Sequence, residues 1–198
     1  MARTVAKDYD DKRVHILKTA AKLFAVEGVA RASMSQLAHA AGISKANIYH
    51  YYDSKDALLY DILDTYLVQL KDRISNLHLA GLTAEEKLHQ IIYEILQFYD
   101  GMDHEHKIQT EGIPLLPPVQ QDILRGYQRD MVATLEAVLI ELAPDIFKGQ
   151  KEKLRATTMS IFGMVNWFYM WNSHKSEAAR QNYAELVSKL ANFGIKGL

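Results

Sequence analysis

Apolar positions along the chain recur at helical spacing. Ile16, Leu17, Ala20, Leu23 and Phe24 follow the i, i+3, i+4, i+7 rule, and Gly28 is a good terminator. Ser33-x-x-Gln36 is a capping box that opens a second helix; Leu37 and Ala38 are its inner residues and Gly42 ends it. Ser44 caps a third helix. Ile43 before that cap and Ile48 at the fourth helical position make a hydrophobic staple, which fixes the angle of entry. A fourth helix begins at Asp53-Ser54 and runs on through Leu58, Ile62 and Leu63.

Beyond residue 75 the helices lengthen. Thr83-x-x-Glu86 caps one with Leu88, Ile91, Ile92, Ile95 and Phe98 inside. The stretch GIPLLPP holds three of the four prolines and predicts a loop, with Pro118 able to open the next helix. That helix carries Ile123, Leu124, Tyr127, Met131, Leu135, Val138 and Leu142 and stops before Pro144. Another is predicted from about Glu152 to Asn172. The last, capped near Ser176, has Tyr183, Leu186, Val187, Leu190 and Phe193 on one stripe. No strand pattern or internal repeat emerges, so the predicted fold class is all-α.

Composition narrows the chemistry. The chain has 198 residues and no cysteine, which excludes disulfides, zinc-thiolate sites and thiol nucleophiles. The N-terminal stretch MARTVAKDYDDKRVH lacks an apolar signal-peptide core. The most apolar run, Met159 to Trp171, is too short to span a bilayer. A cytoplasmic protein with no membrane partner is expected. The net charge of −1 hides an asymmetry. Residues 1–55 hold nine Lys and Arg against five Asp and Glu, whereas 56–198 hold fourteen against nineteen. A basic front end on an acidic body suggests that the front meets a polyanion.

Helices two and three are short and joined by AGIS, the spacing of a helix-turn-helix with a Gly in the turn. With Ile48 facing inward, the outward face of helix three is Ala46, Asn47, Tyr49 and His50, while Lys45, Tyr51 and Tyr52 fall on the inner half or its edge. Asn reads adenine with a bidentate pair, Tyr and Lys reach phosphates, and a small Ala allows close approach. Ser44 and the amides at the helix start can also meet phosphate. Lys55 lies in the first turn of helix four, where the helix dipole disfavours a cation; a nearby phosphate would explain it. The alternative is a surface helix with exposed polar rings.

The run Ile16 to Leu63, ILKTAAKLFAVEGVARASMSQLAHAAGISKANIYHYYDSKDALLYDIL, resembles the DNA-binding domain of the TetR family of bacterial transcription regulators. The motifs are a first helix ending in x-x-G, a small polar residue opening helix two, then A-G-x-S-K, Y-H-Y-Y and S-K-x-x-L. The resemblance implies an all-helical homodimer, usually a repressor released from a (pseudo)palindromic operator when a small molecule binds the C-terminal domain. It implies DNA contacts at Ser33, Ser35, Ser44, Lys45, Ala46, Asn47, Tyr49, His50 and Lys55. Many members carry Gly at the position of Ala46 and Thr or Ser at that of Asn47, so the operator sequence does not transfer. The expected domains are 1–55, a helix-turn-helix domain, and 56–198, for effector binding and dimerisation, linked by helix four from about residue 54.

The segment IFGMVNWFYMW is apolar all round its predicted helix, which implies burial on more than one side. Gly163 suits a close helix–helix contact. Asn166 needs hydrogen-bond partners, from the core or from a ligand. FGMVNWFYMW also resembles a short run in TetR-like regulators that respond to acyl-CoA thioesters. A tunnel lined by Phe98, Met131, Phe162, Asn166, Trp167 and Met170 would hold an acyl tail, and Arg125 and Arg129 would meet CoA phosphates. An ordinary solvated face, or pairing with Asp122 and Asp130, is the alternative for the two arginines. The expected dimer surface is Gly163, Tyr183, Leu186, Val187, Leu190 and Phe193, with the last two helices pairing into a four-helix bundle.

DGMDHEHK, Asp100 to Lys107, reads as a polar loop; its His104-x-His106 spacing fits no strong metal-ligand motif. No Ser/His/Asp arrangement, phosphate-cradling loop or paired carboxylate stands out, so neither catalysis nor a cofactor or metal is expected. The expected function is a homodimeric, ligand-responsive DNA-binding repressor with an apolar effector such as an acyl-CoA. The rivals are a multidrug-type sensor on the same scaffold, and a helical carrier or enzyme that handles an acyl thioester.

Overall fold

The computed structural model describes residues 2–172 and 176–195, with side chains from Tyr9 to Asn172 and from Ser176 to Gly194. The described residues form helices joined by short turns: α1 (Ala2–Glu27), α2 (Met34–Ala40), α3 (Lys45–Tyr51), α4 (Lys55–Ser75), α5 (Ala84–Phe98) and α6 (Asp103–Gly112). A 3₁₀ turn, Ile113–Leu115, leads to α7 (Pro118–Leu142), α8 (Pro144–Phe147), α9 (Lys151–Asn166), α10 (Phe168–Trp171) and α11 (Glu177–Ile195). None of the described helices is long and apolar enough to cross a membrane. The chain divides into two compact units, Met1–Leu67 with Met102–Arg125, and Val68–Gly101 with Gly126–Leu198.

Local chemistry sets the element ends. The Ser33 hydroxyl accepts from the Gln36 amide, and the Gln36 side chain reaches back to the Ser33 amide at 2.8 Å. Thr83 and Glu86 repeat the device at α5, where the two amide and hydroxyl bonds from Thr83 hold the Glu86 carboxyl below its ordinary range. Gly42 stands at φ +66° between α2 and α3, a left-handed turn that favours glycine.

In the first unit, Ile16, Ala20 and Phe24 of α1 form a core with Leu37 of α2, Ile48 of α3 and Leu58, Leu59, Ile62 and Leu63 of α4. Helix α6 belongs to this unit and packs on α1. The polar loop expected over Asp100 to Lys107 is therefore corrected: from Asp103 onward it is helix. Asp103 and Glu105 suit the positive end of the helix dipole in its first turn, and His106 and Ile108 turn inward. Buried His106 Nδ1 lies 2.8 Å from the Tyr66 hydroxyl, and Lys107 Nζ donates to the Ala25 carbonyl at 2.7 Å. His104 is exposed, so the two histidines face different ways. A Cβ built on Gly112 would stand 3.2 Å from Leu59 Cδ1 and 3.3 Å from Leu63 Cδ1, so glycine permits the close approach to α4. The loop predicted over GIPLLPP is likewise corrected, because Ile113–Leu115 closes a 3₁₀ turn before Pro118 opens α7.

In the second unit α5 packs along α11, and α9 touches both. The inner face of α11 is built from small residues: Ala184, Val187, Ser188 and Ala191 are buried. The helix expected from Glu152 to Asn172 is broken. α9 ends at Asn166, Trp167 caps it, and α10 makes one further turn. The run is not buried on several sides in the single chain. Phe168 is buried, but Trp167 and Trp171 are 60% and 57% exposed.

Candidate nucleic-acid interface

Helices α2 and α3 meet through Gly42, and the turn is closed by bonds from the Ile43 amide to the Ala38 carbonyl (3.1 Å) and from Gly42 to His39 (3.2 Å). Ile48, fully buried, pins α3 to the core. Its outer side presents Lys45, Ala46, Tyr49 and His50 to solvent, with Asn47 half-buried. Lys45 stands exposed, beyond the edge position read from the wheel, and its ammonium lies 5.9 Å from the centre of the Tyr49 ring, a cation–π distance. Ser33, Ser35 and Ser44 are exposed as well. The Ser44 hydroxyl accepts from the Asn47 amide at 3.1 Å, and this cap orients the first turn of α3.

Lys55 takes a different course. Its ammonium donates to the carbonyls of Val29 (2.8 Å), Ala30 (3.1 Å) and Ala32 (3.1 Å). An ammonium has three donors, and three acceptors face it. The cation at the start of α4 is thus explained by the corner between α1 and α2, which supplies negative carbonyl ends, and needs no phosphate.

The far end of α3 is held by contacts that sequence patterning did not reveal, although it placed Tyr52 on the inner half or edge, where it is buried. Tyr52, the C-cap, donates its hydroxyl to Asp61 at 2.5 Å. Arg13 of α1 forks onto the same carboxylate, with Nε donating to Oδ2 at 3.1 Å and a terminal nitrogen to Oδ1. Burial, followed by the bond to Asp61, pushes the Tyr52 phenol far above its usual range, so it stays a neutral donor. Tyr9 stacks on Tyr51 with centroids 4.7 Å apart. The available sequence signal was Asp61 itself, an acid set among the apolar positions Leu58, Ile62 and Leu63.

The residues expected to meet an effector differ in exposure. Phe98, Met131 and Phe162 are buried in packed core, whereas Trp167 and Met170 are exposed. Asn166 finds a core partner: buried Tyr99 donates to its Oδ1 at 2.6 Å. Arg125 falls in the first unit and Arg129 in the second, and both are exposed. The residues expected at a dimer surface divide as well. Val187 is 1% exposed and already packed, and half-buried Tyr183 donates to the Met164 carbonyl at 2.9 Å. Leu186, Leu190 and Phe193 stand 51%, 55% and 71% exposed, Gly163 is exposed with open space where a Cβ would be, and an apolar groove of ≈ 570 Å³ runs between α9 and α11.

A capped, glycine-turned helix pair with a polar, cationic outer face defines a helix-turn-helix protein of the DNA-binding class. Comparison with known proteins makes this specific. Residues 16–62 match the model for bacterial regulatory proteins of the tetR family, and residues 81–195 match the tetracyclin repressor-like C-terminal domain. The chain belongs to the TetR family of transcription regulators. It is 30% identical over 194 residues to the HTH-type transcriptional regulator YerO of Bacillus subtilis, a match covering 96% of this chain and 66% of that one. A TetR-family transcriptional regulator from Bordetella parapertussis superimposes with a TM-score of 0.84 at 30% identity, covering 90% of this chain and 93% of the other. AibR, crystallised with isovaleryl coenzyme A and operator DNA, shares the fold with a TM-score of 0.73 at 19% identity, over 91% of this chain and 98% of that one.

Proposed function

We propose that the chain is a homodimeric repressor that reads a (pseudo)palindromic operator with α3 and is released by a small apolar effector. The observation that carries the reading is the contrast between two surfaces. One is the polar outer face of α3, with Lys45, Asn47, Tyr49 and His50; the other is the apolar outer face of α11 beside α9, with Leu186, Leu190 and Phe193. The first suits base edges and phosphates, and the second suits a dry contact with a second copy. Two copies related by a twofold axis would bring their α3 helices to half-sites about one helical turn apart, roughly 34 Å on B-DNA. Ser33, Ser35, Ser44 and Ala46 complete the proposed DNA face. Lys55 supports it from behind by holding the α1–α2 corner.

Release would be a population shift, in which the effector favours a dimer whose α3 helices no longer match successive grooves. The effector class we infer is an acyl thioester, its tail among apolar residues of the second unit such as Phe162, Trp167 and Met170, and a phosphate met by Arg129. AibR is a precedent for one such fold taking both an acyl-CoA and DNA. The test is titration of the protein–DNA complex with acyl-CoAs, their free acids and unrelated planar apolar drugs. Release by thioesters but not free acids supports the reading. Release by drugs and by no thioester would replace it with a multidrug-type sensor. Trp167→Ala should weaken release and leave DNA binding itself unchanged.

A further inference from the structure

Tyr9 precedes the family-matched segment, which begins at residue 16, and nothing in the helix-turn-helix pattern calls for an aromatic there. Yet its ring lies on that of Tyr51, the last residue of α3, with centroids 4.7 Å apart and planes inclined by 25°. The ring of His50 also meets that of Tyr51, edge-on at 5.6 Å and 86°. Tyr51 is thus held by Tyr9 on α1 and in turn braces His50, an exposed group on the outer face of α3. One turn further along α1, Arg13 holds Asp61, which accepts from Tyr52. The two residues that end the recognition helix are therefore both fixed from α1, one through stacked rings and one through a shared carboxylate.

We infer that Tyr9 is a positioning residue for DNA reading: through Tyr51 it orients His50 and the last turn of α3 toward base edges without touching DNA itself. A helix of seven residues makes few internal hydrogen bonds, so its end needs outside support. A flat ring supplies that support while leaving the outer face clear. The inference rests on the reading that α3 enters the operator. It predicts a loss confined to sequence preference, because a residue that acts through another changes neither the number of phosphates met nor non-specific affinity.

The test compares Tyr9→Ala, Tyr9→Leu and Tyr9→Phe on the operator selected by the wild-type dimer and on random DNA. Tyr9→Ala and Tyr9→Leu should weaken operator binding roughly two- to tenfold, the range expected for one lost aromatic pair. Random-DNA affinity and salt slope should stay as in the wild type, and Tyr9→Phe should behave as the wild type. In a His50→Ala background, the Tyr9→Leu effect should shrink to less than half of its size on a logarithmic scale. Tyr9→Leu serves if Tyr9→Ala does not fold. Operator affinity unchanged in the folded variants overturns the role. So does a salt slope reduced by one phosphate, or a Tyr9→Phe loss equal to that of Tyr9→Leu, since either makes Tyr9 a direct contact. A wild type that selects no sequence at all overturns the DNA reading itself, and the role with it.

Discussion

The Lys55 ammonium lies 2.8 Å from the Val29 carbonyl, and this bond ties the first turn of α4 to the corner that follows α1. Lys45, ten residues earlier, stands exposed over the Tyr49 ring. Two lysines in one DNA-binding domain thus have different work. Lys45→Ala should reduce the slope of log affinity against log salt by about 0.9, one phosphate's worth. Lys55→Ala should leave that slope unchanged and cost about 1–3 kcal/mol of stability, because three carbonyls of the α1–α2 corner lose a charged donor. Parallel salt titrations and denaturant melts check both outcomes.

Asn47 is the candidate for reading a base. Its backbone is fixed by the Ser44 cap, and its side chain lies on the half-buried flank of α3. Asn47→Ala should relax preference at one position per half-site and cost roughly 1–3 kcal/mol on the preferred base. Selection from random DNA measures this; an identical sequence preference in wild type and variant would remove Asn47 from base reading.

The outer and inner positions of α11 should respond differently. Leu186→Glu and Leu190→Glu place a charge on the exposed apolar face and should give folded monomers, because a dry dimer contact cannot accept an unpaired carboxylate. Val187→Ala, inside the unit, should instead lower stability by about 0.5–3 kcal/mol and leave the assembly dimeric. Light scattering with thermal melts separates the two. Folded, dimeric Leu186→Glu and Leu190→Glu proteins would move the dimer surface elsewhere.

Glu105 makes stability depend on pH. Burial pushes its carboxyl above the ordinary glutamate range, and among the described residues its Oε2 is buried without a hydrogen-bond partner. The folded state therefore binds this proton more readily than the unfolded chain. The resulting destabilisation is fully present above the raised folded value and fades as pH falls through it toward the unfolded value. Glu105→Gln should stabilise the protein at neutral pH, with a gain that shrinks on acidification. A gain that is constant across that window would mean that the charge of Glu105 is not the cause.

What the sequence disclosed was what short-range chemistry decides. Ser33 with Gln36 and Thr83 with Glu86 close their boxes within four residues, so the starts of α2 and α5 were legible. The inward Ile48 was legible because a seven-residue helix on a core has one inner face. Helix α6 was not, because His104, Glu105, His106 and Lys107 look solvated until α1 and α4 supply the Ala25 carbonyl and the Tyr66 hydroxyl. The stripe on α11 was legible, and its Leu186, Leu190 and Phe193 do lie outward; Val187 instead packs inward beside small Ala184, Ser188 and Ala191, which carry little hydropathic signal. The direction taken by Lys55 and the contact of Tyr9 with Tyr51 depend on positions more than twenty residues apart, and no local pattern records them.

The interruption of α9 at Trp167 gives the protein a built-in optical probe. Both of its tryptophans, Trp167 and Trp171, flank that one turn and stand more than half exposed. Intrinsic fluorescence therefore samples a single patch of the second unit, without competing emitters of the same kind elsewhere. Its emission in the lone chain should lie toward the red, as for indoles in water, and shift to the blue when apolar matter covers them. Dilution and titration series on unlabelled protein, excited at the red edge of the band where tyrosine scarcely absorbs, would then follow coverage of this patch directly, while the α3 face, whose aromatic rings are tyrosine and histidine, adds little signal.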